Sequence, residues 1–347
     1  MPETMTAIRK EVAGPGVTIT TRDIPNKLTS TEVLIKVLAT SICGTDTHIY
    51  NWDDWSKRRI KPPLTVGHEF CGRVEKIGND VVGVKVGDIV SAETHIVCGH
   101  CEFCRRGEAH ICVNTKIIGV DTDGCFAEYA KMPYQNLIVN NSDIDPVYKS
   151  IQEPLGNAVH TMLHFDITGK TVAVVGCGPI GLMGVNIAKA VGASKIIAIE
   201  VNEYRLNLAK ELGATVCINP LKEDVIKRVL EETNGLGVDV VTEFSGNKKA
   251  IEQSFKYVKL GGKMSMLGIA SSNIEIDLSN DVVFKGITIY GVVGRIMYQT
   301  WDKVKGLIDS GNLNLEKIVT HTFKLTEIDE AMKVMNSGNS GKIVLIP

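Results

Sequence analysis

The sequence lacks any long hydrophobic run, since no stretch reaches the roughly 18 apolar residues that a membrane-spanning helix needs. It also lacks an excess of one charge: the formal net charge is −2 at pH 7, too little to attract nucleic acid or an anionic membrane. The N-terminal residues are mixed and polar, without the basic start and apolar segment of a secretory signal. We therefore expect a cytoplasmic protein with neither a nucleic-acid nor a membrane partner.

Disulfide chemistry is not indicated either. The 347 residues include nine cysteines, an odd number and a low density for a secreted disulfide scaffold. In the cytosol thiols stay reduced. Because four of the nine crowd into one short segment, metal ligation is the better interpretation of that segment.

Length and composition predict two domains with ordinary cores, since 44% of the residues are hydrophobic and 22% are charged. The first 150 residues hold short β-like segments separated by turn signals: EVLIKVLA, GRVEKIG, KVGDIVSAE and FAEYAKM. From about residue 166 apolar strands alternate with helices, beginning with TVAVVG and KIIAIE, which is typical of an α/β fold with a doubly wound parallel sheet. The tail ends in a strand, GKIVLI. We therefore predict one domain of residues 1–155 and 295–347 and a second of residues 156–294.

A glycine-rich turn predicts a dinucleotide site. Gly176, Gly178 and Gly181 form G-x-G-x-x-G directly after the strand TVAVVG and before a helix, the context that makes this motif informative. The glycines permit a tight turn, backbone approach to a pyrophosphate and close helix–strand packing. A helix N-terminus there would face the phosphates.

The next strand ends at Glu200, whose carboxylate could accept the ribose hydroxyls of NAD and repel the 2′-phosphate of NADP. We therefore predict NAD as the cofactor. Arg205, close by, is either an adenosine-ribose contact, which would leave some room for NADP, or a solvated helix arginine.

Cys98, Cys101, Cys104 and Cys112 have a dense, regular spacing. Four thiolates can close a tetrahedral zinc shell that stabilises a loop and does no chemistry. An iron–sulfur centre is the main alternative, but the ferredoxin continuation to a proline is missing. The pattern predicts a structural zinc.

A second group of residues with side chains that bind metals precedes the four cysteines in the sequence. Cys43, His68 and Glu69 have donors that zinc accepts, and Asp46 could orient His68 from behind. Glu153 could reach the same site; the sequence does not decide whether Glu69, Glu153 or both bind the metal. Zinc with an exchangeable position lowers the pKa of an alcohol and assists hydride transfer to a nicotinamide.

The proton released from an alcohol needs a path to solvent. Thr45 and His48 are three residues apart, which would suit a hydroxyl-to-imidazole relay. Each of these residue types has an ordinary structural explanation when taken alone. Their coincidence with a dinucleotide motif favours catalysis.

Together these segments resemble one known family. The spacing G-H-E-x2-G-x5-G from Gly67, the CGTD element, the four cysteines and GCGPIG occur in the order found in zinc-dependent medium-chain alcohol dehydrogenases. Two further segments, HIYNWDDW and TIYGVVGR followed by Thr300-Trp301, resemble the L-threonine 3-dehydrogenase branch of that family. The resemblance covers essentially the whole chain.

The resemblance implies a GroES-like catalytic domain, a Rossmann domain, two zinc ions per chain and a homotetramer. It implies catalytic roles for Thr45, His48 and Glu153, and catalytic zinc residues at Cys43, His68 and Glu69. It also implies NAD contacts at Ile180, Glu200, Arg205, Leu267, Gly268, Ile269, Val292 and Val293. The implied reaction oxidises the C3 hydroxyl of L-threonine to 2-amino-3-oxobutanoate. One departure from the best-known alcohol dehydrogenases is a carboxylate in place of a second cysteine ligand.

Some alternatives stay open at this point. A polyol or secondary alcohol, as in sorbitol or butanediol dehydrogenases, could be the substrate on the same chemistry. A non-enzymatic NAD-binding protein would be expected to have lost ligands that are present here. His95 could lie near the active site or pack the cysteine segment, and Trp52 and Trp55 could shape the substrate side or the subunit interface, or fill the core.

Overall fold

A computed structural model describes residues 3–347 of the chain. The chain forms two compact units. Unit 1 comprises residues up to Pro154 together with Val319–Gly338 and Lys342–Pro347, and unit 2 comprises Leu155–Ile318 and Asn339–Gly341. None of the described helices is both long and apolar enough to cross a bilayer.

Unit 1 is built mainly of β-strands. Its helices are α1 (Gly44–Asn51), α2 (Asp54–Arg59), α3 (Glu102–Arg105), α4 (Pro146–Lys149), the start of α5 (Gln152–Met162) and α12 (Ile328–Ser337). Its strands are β1 (Thr4–Lys10), β2 (Thr18–Asp23), β3 (Glu32–Ser41), β4 (Leu64–Thr65), β5 (Glu69–Ile77), β6 (Ile89–Ala92), β7 (His95–Ile96), β8 (Lys116–Ile117), β9 (Tyr129–Pro133), β10 (Leu137–Val139), β17 (Val319–Lys324) and β18 (Lys342–Ile346).

Strand β3 organises this unit. It pairs antiparallel with β5, β9 and β18 in a seven-stranded sheet, and most of its apolar residues are buried. The predicted segments EVLIKVLA, GRVEKIG and FAEYAKM therefore lie side by side. The pairing of β3 with β18 brings the end of the chain beside Ser41, which matters for the metal cluster described below.

Unit 2 has the predicted doubly wound sheet. Six parallel strands lie in the order β13–β12–β11–β14–β15–β16. The strands are β11 (Thr171–Val175), β12 (Lys195–Ile199), β13 (Val216–Ile218), β14 (Val238–Glu243), β15 (Val258–Met266) and β16 (Thr288–Gly291). The helices are the rest of α5, then α6 (Pro179–Ala190), α7 (Glu203–Leu212), α8 (Val225–Glu232), α9 (Lys248–Tyr257), α10 (Gln299–Asp309) and α11 (Leu315–Ile318).

The local sequence explains the starts of the unit 2 helices. Asn202, Asp224 and Asn247 each accept a hydrogen bond from the backbone N–H three residues on and so cap α7, α8 and α9. The strand order reverses between β11 and β14, and such a switch point at the carboxyl edge of a parallel sheet is where dinucleotides bind. The fold class predicted from the sequence is thus confirmed.

The division of the chain differs from the prediction in one segment. Residues 295–318, assigned from the sequence to the catalytic domain, belong to unit 2. The physical reason lies in their contacts: the backbone N–H of Asn314 donates to Asn186 Oδ1 on α6 at 3.0 Å, and Lys317 pairs with Glu211 on α7. The return of the chain to unit 1 therefore begins at Val319.

Candidate functional site

The four-cysteine segment forms a compact cluster of sulfur atoms in unit 1. Its sulfurs lie 3.5 Å apart for Cys101–Cys104, 3.6 Å for Cys98–Cys112 and 3.9 Å for Cys101–Cys112. In a tetrahedral shell with Zn–S bonds of about 2.3 Å, neighbouring sulfurs lie roughly 3.8 Å apart. The spacing fits one metal ion, and it leaves no room among the sulfurs for a centre of several irons.

Backbone N–H groups of the same loop favour the thiolate form of Cys98, although burial raises the pKa of Cys104 to about 12. The N–H of Cys101 points at Cys98 Sγ at 3.4 Å and that of Asn114 at Cys112 Sγ at 3.4 Å. Hydrogen bonds from the backbone of His100 and then of Cys101 lower the pKa of Cys98 to about 5. Thiolates are the form that binds zinc, so the loop is prepared for a metal.

The second cluster, which we call the mixed cluster, consists of Cys43, His68 and Glu69. One donor atom from each residue lies within 4.8 Å of the other two. Cys43 caps the N-terminus of α1, Glu69 begins β5, and His68 directly precedes it. His68 and Glu69 are buried, whereas Cys43 is half-buried. The predicted thiol, imidazole and carboxylate are therefore brought together.

Unsatisfied atoms show that this cluster suits a cation. Glu69 Oε1, His68 Nδ1 and Asp46 Oδ1 are buried without hydrogen-bond partners, an arrangement that normally calls for an ion or a further ligand. Burial by itself would lower the pKa of His68, but the negative charges of Cys43, Asp46 and Glu153 raise it to about 10. The mixed cluster thus concentrates negative charge around one imidazole, as zinc would require.

Asp46 and Glu153 lie near this cluster, and their carboxylates have different hydrogen-bond partners. Asp46 Oδ2 accepts the backbone N–H of Cys43 at 2.9 Å, and its Oδ1 lies 4.0 Å from His68 Nδ1, too far for a hydrogen bond. Glu153 Oε1 accepts the hydroxyl of Thr94 at 2.9 Å. The carboxylate of Glu153 is not among the donor atoms grouped within 4.8 Å, although its charge acts on His68.

Thr45 and His48 lie on helix α1 on the way from the cluster to solvent. Thr45 Oγ1 is 3.8 Å from Cys43 Sγ. The His48 side chain is 58% exposed, and its Nδ1 lies 2.5 Å from Asp53 Oδ2. Among the described residues no hydrogen bond joins Thr45 directly to His48, so a relay between them requires an intervening group.

The tryptophans and His95 have distinct surroundings. The His48 and Trp55 rings are tilted, with centroids 5.9 Å apart, and Trp55 is exposed. Trp52 instead packs against the core of unit 1, below the Lys10 ammonium at 5.0 Å. His95 Nδ1 lies 2.9 Å from Glu93 Oε1. Core packing therefore accounts for Trp52, whereas Trp55 borders His48.

In unit 2 the glycines of the turn lie where the structure restricts or exposes the space for a Cβ, as the motif predicts. A Cβ at Gly176, where φ is +86°, would lie 2.8 Å from Ser245 Cβ, and one at Gly181 would lie 1.9 Å from the Gly176 carbonyl oxygen. A Cβ at Gly178 would meet no atom within 4 Å, so it would project into open space at the start of α6. That helix start has no side-chain cap, which leaves its N–H groups available to an anion.

A cleft of about 490 Å³ adjoins this turn, lined by residues that include Gly176, Gly178, Glu200 and Arg205. Glu200 Oε2 accepts the N–H of Cys177 at 2.8 Å, and its Oε1 accepts that of Asn202 at 2.9 Å. Both oxygens keep a further lone pair for hydroxyl donors. The cleft volume is in the range of small-molecule and cofactor sites.

The remaining predicted cofactor residues lie outside the lining of that cleft. The segment Leu267, Gly268 and Ile269 follows β15, and Val292 and Val293 follow β16, at the same carboxyl edge of the sheet as the glycine turn. Ile180 lies in the first turn of α6. The fold therefore places these segments at the same edge of unit 2 as the glycine turn, although only Gly176 and Gly178 of the turn line the cleft.

Sequence reasoning missed three residues around the mixed cluster. Ser41 Oγ and Lys342 Nζ both donate to Glu69 Oε2, and Asp53 holds His48. The one available signal was a lysine at the start of the otherwise apolar strand KIVLI. The pairing of that strand with β3 could not be inferred from local sequence.

Family models match the two regions of the chain that hold these residues. Residues 29–143 match the family model of the alcohol dehydrogenase GroES-like domain, and residues 179–310 match that of the zinc-binding dehydrogenases. The first model covers the region with the metal-ligand residues, and the second covers the region with the predicted cofactor site. The first includes both cysteine-containing clusters, and the second begins within the glycine turn.

Full-length relatives extend the similarity to the whole chain. The L-threonine 3-dehydrogenase of Caldanaerobacter subterraneus subsp. tengcongensis is 56% identical, with 99% of each chain covered. The L-threonine 3-dehydrogenase of Bacillus subtilis is 52% identical, again with 99% of each covered. Among solved structures, 2R,3R-butanediol dehydrogenase from Bacillus subtilis superposes with a TM-score of 0.89 at 29% identity, covering 99% of both chains. The chain therefore belongs to the zinc-dependent medium-chain alcohol dehydrogenase family.

Proposed function

We propose that this protein oxidises the C3 hydroxyl of L-threonine to 2-amino-3-oxobutanoate, with NAD as the hydride acceptor. The observation that carries the proposal is the 56% identity over essentially the full length to an L-threonine 3-dehydrogenase, together with a mixed cluster suited to zinc. A butanediol dehydrogenase of the same fold is only 29% identical. Threonine is therefore the better supported substrate.

Cys43, His68 and Glu69 would hold the catalytic zinc, and Cys98, Cys101, Cys104 and Cys112 the structural one. Zinc polarises the oxygen of a bound alcohol and lowers its pKa, and NAD accepts the hydride. Glu153, tied to Thr94, contributes negative charge beside His68. We assign it to the catalytic site as a further carboxylate, next to the three grouped ligands.

The chain itself supplies the path for the proton. The Thr45 hydroxyl lies next to Cys43 Sγ, at the inner end of α1. His48 lies at the outer end, exposed to water and paired with Asp53. Because an imidazole accepts and releases protons near neutral pH, His48 would hand the proton to solvent.

Cofactor recognition would fall to unit 2. The backbone around Gly178 would receive the pyrophosphate, Glu200 would accept the ribose hydroxyls, and Arg205 would border the adenosine. Arg205 Nε already donates to the Ser340 carbonyl oxygen at 3.2 Å, so its guanidinium is partly committed. This arrangement supports NAD over NADP.

Initial rates of cofactor reduction with L-threonine, sorbitol and 2,3-butanediol test the substrate. We expect kcat/KM for L-threonine to exceed that for either alcohol by at least about 100-fold, since a site built for polar groups rejects analogues lacking them. Equal rates with butanediol would assign the chain to a different substrate on the same chemistry.

The cofactor preference is tested separately with Glu200→Ser. The unmodified protein should prefer NAD, and the variant should lose NAD affinity and gain in kcat/KM with NADP because the carboxylate no longer repels the 2′-phosphate. Arg205→Ala in the same background should remove that gain. A preference that does not respond to Glu200 would contradict the assignment.

We also propose a cytoplasmic homotetramer. None of the nine cysteines forms a disulfide, which fits a reducing compartment. In unit 2, β16 ends the sheet, and apolar side chains near it are exposed: Leu278, Val283, Phe284, Ile289 and Val293. An exposed apolar patch beside an open sheet edge is a feature of subunit interfaces. Light scattering should give four times the chain mass, and Phe284→Asp should lower it.

A further inference from the structure

The carboxylate of Glu69 is divided between two environments. Its Oε2 accepts hydrogen bonds from Ser41 Oγ and from the ammonium of Lys342. Its Oε1 is buried without a partner, and one carboxylate oxygen of Glu69 lies within 4.8 Å of the donor atoms of Cys43 and His68. The two oxygens of one side chain therefore differ in what remains available to a metal.

Lys342 is an unusual neighbour for a metal ligand. It begins β18, its side chain is 2% exposed and that of Glu69 is fully buried. Besides Glu69, its ammonium donates to the Ile42 carbonyl oxygen at 2.7 Å, one residue before Cys43. Because Ser41 Oγ donates to Glu69 Oε2 and the Ile42 carbonyl oxygen accepts from Lys342, neither Lys342 nor Glu69 Oε2 is free to turn away.

A lysine in this position has two physical consequences for a zinc ion held by Glu69. It withdraws electron density from the carboxylate and holds one oxygen, which leaves a single oxygen for the metal. It also places a buried positive charge near the cation, where low dielectric strengthens the repulsion. Both effects weaken the bond between Glu69 and zinc.

We propose that Lys342 is a positioning residue that restricts Glu69 to one zinc-facing oxygen and so keeps it an exchangeable ligand. A weakly bound carboxylate can give way to the hydroxyl oxygen of the substrate, whereas a carboxylate bound through both oxygens would occupy that position. This inference rests on the proposed catalytic zinc, and it assigns a function to the last strand of the chain.

Zinc release into a chelator tests the proposal on the full-length holoprotein. In Lys342→Met both Glu69 oxygens become available and the repelling charge is gone, so zinc should leave the mixed cluster about tenfold more slowly. The KM for L-threonine should rise more than kcat falls. If Lys342 served only to support the fold, zinc would leave at the same rate or faster, and either result overturns the proposal.

Two further variants keep the test decisive even if Lys342→Met folds poorly. Ser41→Ala removes the other donor to Oε2 and should slow release in the same direction by about threefold. In a Glu69→Gln background, Lys342→Met should slow release much less than it does when Glu69 is present, because no second anionic oxygen can be freed and only the loss of the repelling charge remains. Slowing of the same size in both backgrounds would show that Lys342 acts without Glu69.

Lys10→Met is the matched control. Lys10 is equally buried in unit 1, but its ammonium donates to the carbonyls of Gly14 and Gly16 and to no carboxylate. Its removal should leave zinc release unchanged. Cys43→Ser separates the two levels of inference: if that variant still bound two zinc ions, the catalytic centre itself would be misassigned, whatever Lys342 does.

Discussion

The four-cysteine cluster and the mixed cluster belong to the same unit but are built on different plans. The first takes all its donors from one short loop, and that loop's own N–H groups donate to the sulfurs of Cys98 and Cys112. The second combines three kinds of donor from the start of α1 and the start of β5, with a lysine from the final strand behind them. One is self-contained, and the other depends on the whole fold of unit 1.

The two clusters also differ in the charge that surrounds them. Four thiolates complete a tetrahedral shell and leave no position for a further ligand. The mixed cluster has three grouped donors, two additional carboxylates at Asp46 and Glu153, and one opposing ammonium at Lys342. A metal shell with only three grouped donors, surrounded by charges of both signs, permits the exchange of a ligand. Catalysis needs this exchange, whereas a structural site does not.

The largest expected effect is on the mixed cluster itself. Cys43→Ser should lower kcat/KM by at least about 1,000-fold, because a neutral hydroxyl cannot replace a thiolate ligand. Metal analysis should find one zinc ion per chain, and NADH affinity by fluorescence titration should be unchanged. Cys217→Ser, the same substitution away from both clusters, is the control. If Cys43→Ser retained its turnover, the mixed cluster would not be the catalytic one.

Loss of one cysteine from the other cluster should affect stability first. Cys104→Ser opens the four-thiolate shell, so we expect the thermal midpoint to fall by roughly 10 °C. Below the new midpoint, turnover per catalytic zinc should stay within about threefold of the unmodified protein. Calorimetry with metal analysis checks both. A large loss of turnover without loss of stability would show that this cluster takes part in the chemistry.

Local sequence sufficed for the parts of the molecule that local forces determine. The alternation of strands and helices, the glycine turn and the four-cysteine spacing each depend on neighbours within a few residues, and the structure contains them where they were expected. Cys43, His68 and Glu69 were identified by residue type and motif, and their donors do converge. Sites whose residues lie in short motifs can therefore be predicted from the sequence.

What could not be read depends on pairing across long stretches of chain. Lys342 reaches Glu69 only because β18 aligns with β3, and the sequence gives no local sign of that register. Residues 295–318 were misassigned because their contacts with α6 and α7, such as that of the Asn314 backbone with the buried Asn186, are tertiary contacts that local sequence does not reveal. Which oxygen of Glu69 faces the metal likewise follows from tertiary contacts alone.

A smaller effect concerns proton exit, which only the mixed cluster should need. His48→Gln should lower kcat about 100-fold while both zinc ions remain bound, because an amide cannot carry a proton. His100→Gln is a matched control beside the four-cysteine cluster: His100 is exposed and contacts the Cys98 carbonyl oxygen. A loss of less than about threefold in His48→Gln would place the exit elsewhere.

The smallest expected effect tests the partner of His48. The backbone N–H of Ser56 lowers the pKa of Asp53, burial opposes this, and His48 lowers it further. A lowered pKa means that the carboxylate is ionised from neutral to alkaline pH and loses its charge only when the pH falls through that value. Asp53→Asn should therefore reduce kcat a few-fold, since a neutral amide no longer holds His48 with a negative charge, and should remove the fall in rate at acid pH that protonation of Asp53 causes. Asp54→Asn, which removes only an exposed pair with Lys57, should leave the profile unchanged. Identical pH–rate profiles for Asp53→Asn and Asp54→Asn would mean that the charge of Asp53 plays no part in proton exit from the mixed cluster.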